Sequence, residues 1–284
     1  MRVAAHIAEI GHTSEISVPQ RQEADNLCAV HDVRPLQVKS VERVRDLGEV
    51  FTPAGTVQSM LDLLPAAVWD VHPSATFLEP ACGDGNFLVA ILERKLAAVI
   101  QAEVARSLPA GGTKDAVRFH ALEALASIYA VDISADNVIG GTHGHEVGAR
   151  DRLLSHLRRW YATSFGQHLT EDSPLLLAAR WVVERNIQIG NMLAVDPQGT
   201  PSGREQLPLT EYHWDPAGMT VKLFVTTLGA VIEDGAAEMT DVITLFGPPE
   251  PTEAWEGSVL RLHEAPIDAP VSTVIHARNG KTDP

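Results

Sequence analysis

Apolar residues recur at helical spacing behind Thr52 and Pro53, where Val57, Met60, Leu61 and Leu64 make one stripe. Thr52 suits a cap and Pro53 a first helical position, so a helix packed on a core is predicted there. The short apolar run at residues 75–80 reads as a strand, followed by the turn Ala81-Cys82-Gly83-Asp84-Gly85-Asn86. After the turn, Phe87, Leu88, Ile91, Leu92, Val99 and Ile100 return to the helical period. Further strands are predicted over 127–133 and 186–189, the latter running into Gly190-Asn191, with helices over 114–126, 150–161 and 174–184 between them.

Strands alternating with helices predict an α/β fold with a doubly wound, mostly parallel sheet. Residues 1–44 hold no sustained period and read as an N-terminal arm or accessory helix, 45–195 as the core, and 196–284 as an extension completing the sheet or forming a partner interface. Within that extension 199–208 is read as loop, and 221–226, 241–246, 259–262 and 271–276 as candidate strands.

A chain of 284 residues that is 45% hydrophobic and 21% charged is long enough to bury one substantial core. No run of apolar residues reaches membrane-spanning length, so neither a membrane helix nor a membrane partner is expected, and a cytoplasmic protein is. Two cysteines, Cys28 and Cys82, suggest no disulfide framework or structural zinc site. The net charge of −15 matters more, because nucleic-acid affinity rests largely on Lys and Arg neutralising phosphates. If DNA is the substrate, either a local basic face outweighs the total or a second chain supplies the contact.

A glycine turn between strand and helix lets a ligand approach the backbone, since side chains at Gly83 or Gly85 would fill that space. Gly-Asp-Gly alone is also what any tight strand-to-helix turn uses. The context adds Glu79 and Asp132 at the carboxyl ends of their strands, where open α/β sheets bind ligands and where an acid can hold two ribose hydroxyls. Together these residues resemble the class I, S-adenosylmethionine-dependent methyltransferases, specifically the DNA adenine amino-methyltransferases of restriction-modification systems. Gly48-Glu49-Val50-Phe51-Thr52-Pro53 resembles the family's motif ahead of the cofactor site, and the run Phe77 to Phe87 its cofactor loop. Tyr129-Ala130-Val131-Asp132-Ile133 is similar to the ribose-binding strand end, and Ile187-Gln188-Ile189-Gly190-Asn191 to the strand end that usually carries Asp against adenine. Asn191 departs from that Asp, though an amide oxygen still accepts from an adenine amino group.

The resemblance covers roughly residues 45–195 and implies a Rossmann-like fold that binds S-adenosyl-L-methionine. It implies cofactor contacts from Phe51, Thr52, Pro53, Glu79, Pro80, Ala81, Cys82, Gly83, Asp84, Gly85, Asn86, Phe87, Asp132, Ile133 and Asn191. Glu79 would meet the methionine ammonium, the backbone of Cys82 to Gly85 the methionine and ribose, Asp132 the ribose hydroxyls and Asn191 the adenine, while Phe51 and Thr52 would close over the methionine end. Cys82 reads as a small residue packed under the loop rather than a nucleophile.

The family also carries Asn or Asp, Pro, Pro and an aromatic after its third strand-end motif, which clamp the flipped base. No such string occurs. Gly247-Pro248-Pro249-Glu250 lacks the side-chain acceptor and the aromatic, and Asp196-Pro197-Gln198 and Asp215-Pro216-Ala217 have one proline each. No catalytic residue is therefore assigned. The expected function is the S-adenosylmethionine-binding subunit of a split DNA adenine methyltransferase, whose partner polypeptide supplies the acceptor motif and DNA recognition. The alternatives are a catalytically silent S-adenosylmethionine-binding regulator and a methyltransferase acting on a small molecule or protein. No metal is expected, the string Thr142-His143-Gly144-His145-Glu146 reading as a solvent loop. Arg150, Arg152, Arg158 and Arg159 read as the solvated face of a helix, and Tyr212 and Trp214 as packing between elements.

Overall fold

The chain divides into two compact units, Met1–Val50 and Phe51–Pro284. The computed structural model describes residues 52–108, 113–141, 147–193, 201–231 and 252–265, all within the second unit. The predicted N-terminal arm and the candidate strands 241–246 and 271–276 lie outside the described residues.

Helix α1 (Ala54–Leu61) buries Val57 and Leu61, four residues apart on one face. Met60 and Leu64 do not join them: Met60 is half exposed and Leu64 lies beyond the helix end, also exposed. The apolar stripe was thus read too wide. Pro53 is the residue preceding the helix, which begins without a side-chain cap. A short 3-10 turn (Ala66–Trp69) follows and lays Trp69 on Phe77 with ring centroids 5.5 Å apart.

Strands β1 (Phe77–Glu79), β2 (Ile128–Asp132) and β3 (Ile187–Ile189) form a parallel sheet in the order β1-β2-β3, with Glu79 opposite Ala130 and Asp132 opposite Ile189. Helices α2 (Asn86–Val104) and α3 (Lys114–Ala126) connect β1 to β2. Helices α4 (Ala135–Ile139), α5 (Ala149–Phe165) and α6 (Pro174–Asn186) connect β2 to β3. Parallel neighbours need such helical crossovers because each strand must return to the same edge of the sheet. The α/β class is therefore observed.

Helix α3 is the most fully buried of the longer described helices. Thr113 caps it by accepting from the Ala116 amide at 3.1 Å, and α2, α6 and the second sheet pack around it. Ten of its 13 residues are buried, including His120 and Glu123. Any polar group on α3 must find its partners inside the protein.

The predicted extension makes its own antiparallel sheet of β4 (Pro208–Asp215), β5 (Thr220–Thr227) and β6 (Thr252–Ser258) rather than continuing the parallel one. Residues 259–262, read as a strand, belong to a 3-10 helix (Val259–Glu264) that buries Val259 and Leu262 at the three-residue spacing of that helix. Tyr212 and Trp214 stack at 5.6 Å, Trp214 meets Phe119 edge-on, and the Tyr212 hydroxyl donates to Asn186 Oδ1 at 2.9 Å. This aromatic pair cements the second sheet to α3 and α6, the packing role expected of it. No described helix is long and apolar enough to cross a membrane.

Candidate ligand-binding site

The chain leaves β1 at Glu79 and turns at the carboxyl edge of the parallel sheet. The Cys82 amide donates to the Val131 carbonyl at 3.1 Å, extending the β1–β2 ladder into the turn. Gly83 then adopts φ +53° and Gly85 φ +95°, in the left-handed region where a β-carbon is costly. At Gly85 a β-carbon would also stand 3.0 Å from the Ala149 β-carbon, so the turn has no room on its α5 side. Gly85 is the residue before α2, and the turn leads directly into the helix.

Asp132, the last residue of β2, organises this edge. Its Oδ2 accepts from the Gly83 amide at 2.8 Å, and its Oδ1 from the Ser134 amide at 2.9 Å and Asn137 Nδ2 at 3.1 Å. Its carbonyl accepts from the Gly190 amide at 2.9 Å, which ties the β3 end into the same group. Only 8% of Asp132 is exposed, so the carboxylate first serves the chain's own donors; Oδ1 is filled by two of them, and Oδ2, with one, retains capacity for another. Glu79 sits half-buried nearby, with Oε1 accepting from the Ala81 amide at 3.4 Å. Burial, aided by the Asp132 charge and opposed by the Ala81 bond, raises its pKa above the usual carboxylate value.

The other predicted site residues fall around this pair. Pro80 and Ala81 are exposed on the turn, and Phe87 packs against the core. Cys82 is buried, and burial together with the charges of Asp132, Glu79 and Asp84 pushes its thiol strongly upward, which agrees with packing and not nucleophilic chemistry. Ile133, directly after Asp132, is 57% exposed and offers an apolar surface at the edge. Asn191 follows Gly190, and its Oδ1 accepts from the Leu193 amide at 3.0 Å. Thr52 joins through its carbonyl, which accepts from Asn86 Nδ2 at 3.2 Å, and Pro53 follows it, exposed; Phe51 lies outside the described residues.

One contributor was assigned elsewhere by the sequence. Arg152 on α5 donates to the Asp84 carbonyl at 2.9 Å and to Asn86 Oδ1 at 2.8 Å, and pairs with Asp84 Oδ1 at 2.6 Å. Its guanidinium therefore clamps the glycine turn to α5. Arg150 donates to the carbonyls of Ile187 and Glu184, binding the end of α6. Of the four arginines read as a solvated face, these two hold the fold together, while Arg158 pairs with Glu171 nearer the surface. No sequence period marks the difference, because all four occupy one helix.

Of the three candidate acceptor loops, Asp215-Pro216-Ala217 forms the β4–β5 hairpin turn, where Asp215 Oδ1 accepts from the Ala217 amide at 3.1 Å. The loops at 196–198 and 247–250 lie outside the described residues, as does the string 142–146. The edge as a whole offers two carboxylates, a turn with glycine at two positions and an exposed apolar residue, a set suited to a cationic, hydroxyl-bearing ligand with an apolar ring. No family model, no curated protein and no solved structure matches this chain.

Proposed function

We propose that this chain is the S-adenosylmethionine-binding subunit of a split DNA adenine methyltransferase. The observation that carries the reading is the joining of Gly83 to Asp132 at 2.8 Å, with Glu79 ending the neighbouring strand. This puts a turn with two glycines between two acids at the carboxyl edge of a parallel sheet. The residues fit the ligand: Glu79 would meet its ammonium, Asp132 its ribose hydroxyls, Ile133 and Asn191 its adenine. The bound cofactor supplies an activated methyl group. The chain's own residues bind it, orient it and hold the turn open, with Arg152 fixing Asp84 and Asn86 from behind.

The finer fold assignment, a Rossmann-like class I methyltransferase core, is part of the same proposal and rests on the sequence motifs together with the β1-β2-β3 order. A partner is invoked because the full acceptor string occurs nowhere in the sequence and the net charge of −15 opposes DNA. That partner would supply the Pro-Pro-aromatic loop and most phosphate contacts. A second reading, a silent S-adenosylmethionine-binding regulator, draws on the three internal donors that already occupy Asp132.

The test incubates the full chain with methyl-labelled S-adenosylmethionine and unmethylated DNA, alone and with proteins that co-purify with it. Label retained by the lone chain but transferred to DNA only in the complex is the expected result. Transfer by the lone chain would end the split-enzyme reading, retention without transfer in any complex would favour the regulator, and failure to retain label would remove the cofactor assignment.

A further inference from the structure

At the opposite, amino-terminal end of the parallel sheet a second polar group is enclosed. His72 lies in the segment leading to β1, and His120 and Glu123 face it from consecutive turns of α3. His72 Nδ1 is 2.6 Å from Glu123 Oε1, and His120 Nδ1 is 3.0 Å from Glu123 Oε2. All three ligand atoms lie within 4.8 Å of one another. His120 and Glu123 are 0% and 1% exposed at their side chains, whereas His72 is 25% exposed and opens the group to solvent.

We infer that His72, His120 and Glu123 form a binding site for a divalent transition-metal ion, with Zn2+ or Co2+ the fitting class. Two neutral imidazoles and one carboxylate are the donor set borderline ions prefer. Tetrahedral coordination at about 2.0–2.1 Å separates neighbouring donors by roughly 3.3 Å, so the 2.6 and 3.0 Å separations, to the two Glu123 oxygens, open by under about 1 Å and any pair as far apart as 4.8 Å closes by about 1.5 Å. The neighbouring buried ammonium of Lys95 feels the Glu123 carboxylate and donates to Ser74 Oγ and the Ala75 carbonyl at 2.7 Å each, outside the ligand set. Since His72 and Glu123 are 51 positions apart, an ion here would pin the segment before β1 to α3. Its function would be structural and independent of whatever binds at the carboxyl edge.

The test titrates Co2+ into the chelator-treated full chain and follows its visible absorption, then displaces it with Zn2+. One equivalent of tight Co2+ with tetrahedral or five-coordinate bands, a higher unfolding temperature with Zn2+, and an X-ray absorption signature of two imidazoles are expected. His72→Ala and Glu123→Gln should each weaken binding by at least about tenfold, while His143→Ala/His145→Ala leaves it unchanged. His72, being partly exposed, is the variant most able to fold, and the X-ray absorption of the native chain needs no variant at all. No stoichiometric binding by the native chain, binding that survives both substitutions, or binding that disappears only in the His143/His145 variant would overturn the inference.

Discussion

The two ends of the parallel sheet each hold a buried carboxylate, and they satisfy it in opposite ways. At the carboxyl end, Asp132 accepts from the backbone amides of Gly83 and Ser134 and from the Asn137 amide. At the amino end, Glu123 accepts from two imidazoles and the Ser74 amide. Two of the three donors to Asp132 are backbone amides that come with the turns around it, so its place at the sheet edge is set largely by the chain path. Side-chain donors must be packed into position, and they enclose Glu123 within the core. The same group is thus held mainly by backbone amides where the sheet ends in a turn, and mainly by side chains, as a cross-link, where it meets a helix.

The largest effect expected from this comparison is at the closed end. Glu123→Ala leaves two imidazoles and the Ser74 amide without their acceptor in a site with no water access on the α3 side, and should cost about 3–5 kcal/mol in urea unfolding. A loss under about 1 kcal/mol would mean the cluster is solvated and the comparison false. The corresponding change at the open end, Asp132→Ala, should cost less stability, about 2–3 kcal/mol, because solvent reaches part of the turn. It should also weaken S-adenosylmethionine binding by about 1.5–3 kcal/mol, measured by calorimetry. Unchanged affinity would remove Asp132 from the ligand site and leave it as a purely structural anchor.

Much of this was legible in the sequence, and for identifiable reasons. The unit β1, glycine turn, α2 announces itself because the period changes from strand to helix across residues that must be glycine, and α3 was placed at 114–126, its observed span. Glu79 and Asp132 could be set side by side in advance because each stands at a strand's carboxyl end. The His72–Glu123 contact could not, since it depends on how the segment before β1 lies across α3; only the helical spacing of His120 and Glu123 hinted at it. Arg152 was misread because its partners include a backbone carbonyl, which leaves no trace in residue type. β4 was missed because it packs against two helices unevenly and its burial does not alternate cleanly along the strand.

Arg152 sharpens the comparison from outside the turn. Arg152→Met keeps much of the side chain's bulk but removes the bonds to Asp84 and Asn86, so the turn should loosen without the fold failing. A stability loss of about 1 kcal/mol and a roughly three- to tenfold weaker cofactor affinity are expected, with Arg152→Lys recovering only part because an ammonium does not reproduce the guanidinium fork. Full recovery by Arg152→Lys would indicate that charge alone matters there, and equal loss in the two variants that only the fork does.

The smallest effect concerns Glu79, and its sign follows from its surroundings. Burial and the Asp132 charge favour the protonated carboxyl, so its pKa in the folded chain lies above the ordinary value. The folded protein therefore takes up this proton more readily than the unfolded chain, and Glu79 adds stability as pH falls through its raised pKa. Attraction for a cationic ligand runs the other way: protonation removes the charge that meets the ammonium. Affinity for S-adenosylmethionine should therefore decline on acidification at a pH where ordinary carboxylates are still ionised, by about three- to tenfold, or roughly 1 kcal/mol. Glu79→Gln should bind at that lower affinity throughout and lose this part of the pH dependence, while retaining the Gly83–Asp132 bond that shapes the turn. If the variant and native chains decline in parallel, the titrating group is not Glu79, and the open end of the sheet recognises its ligand through Asp132 alone.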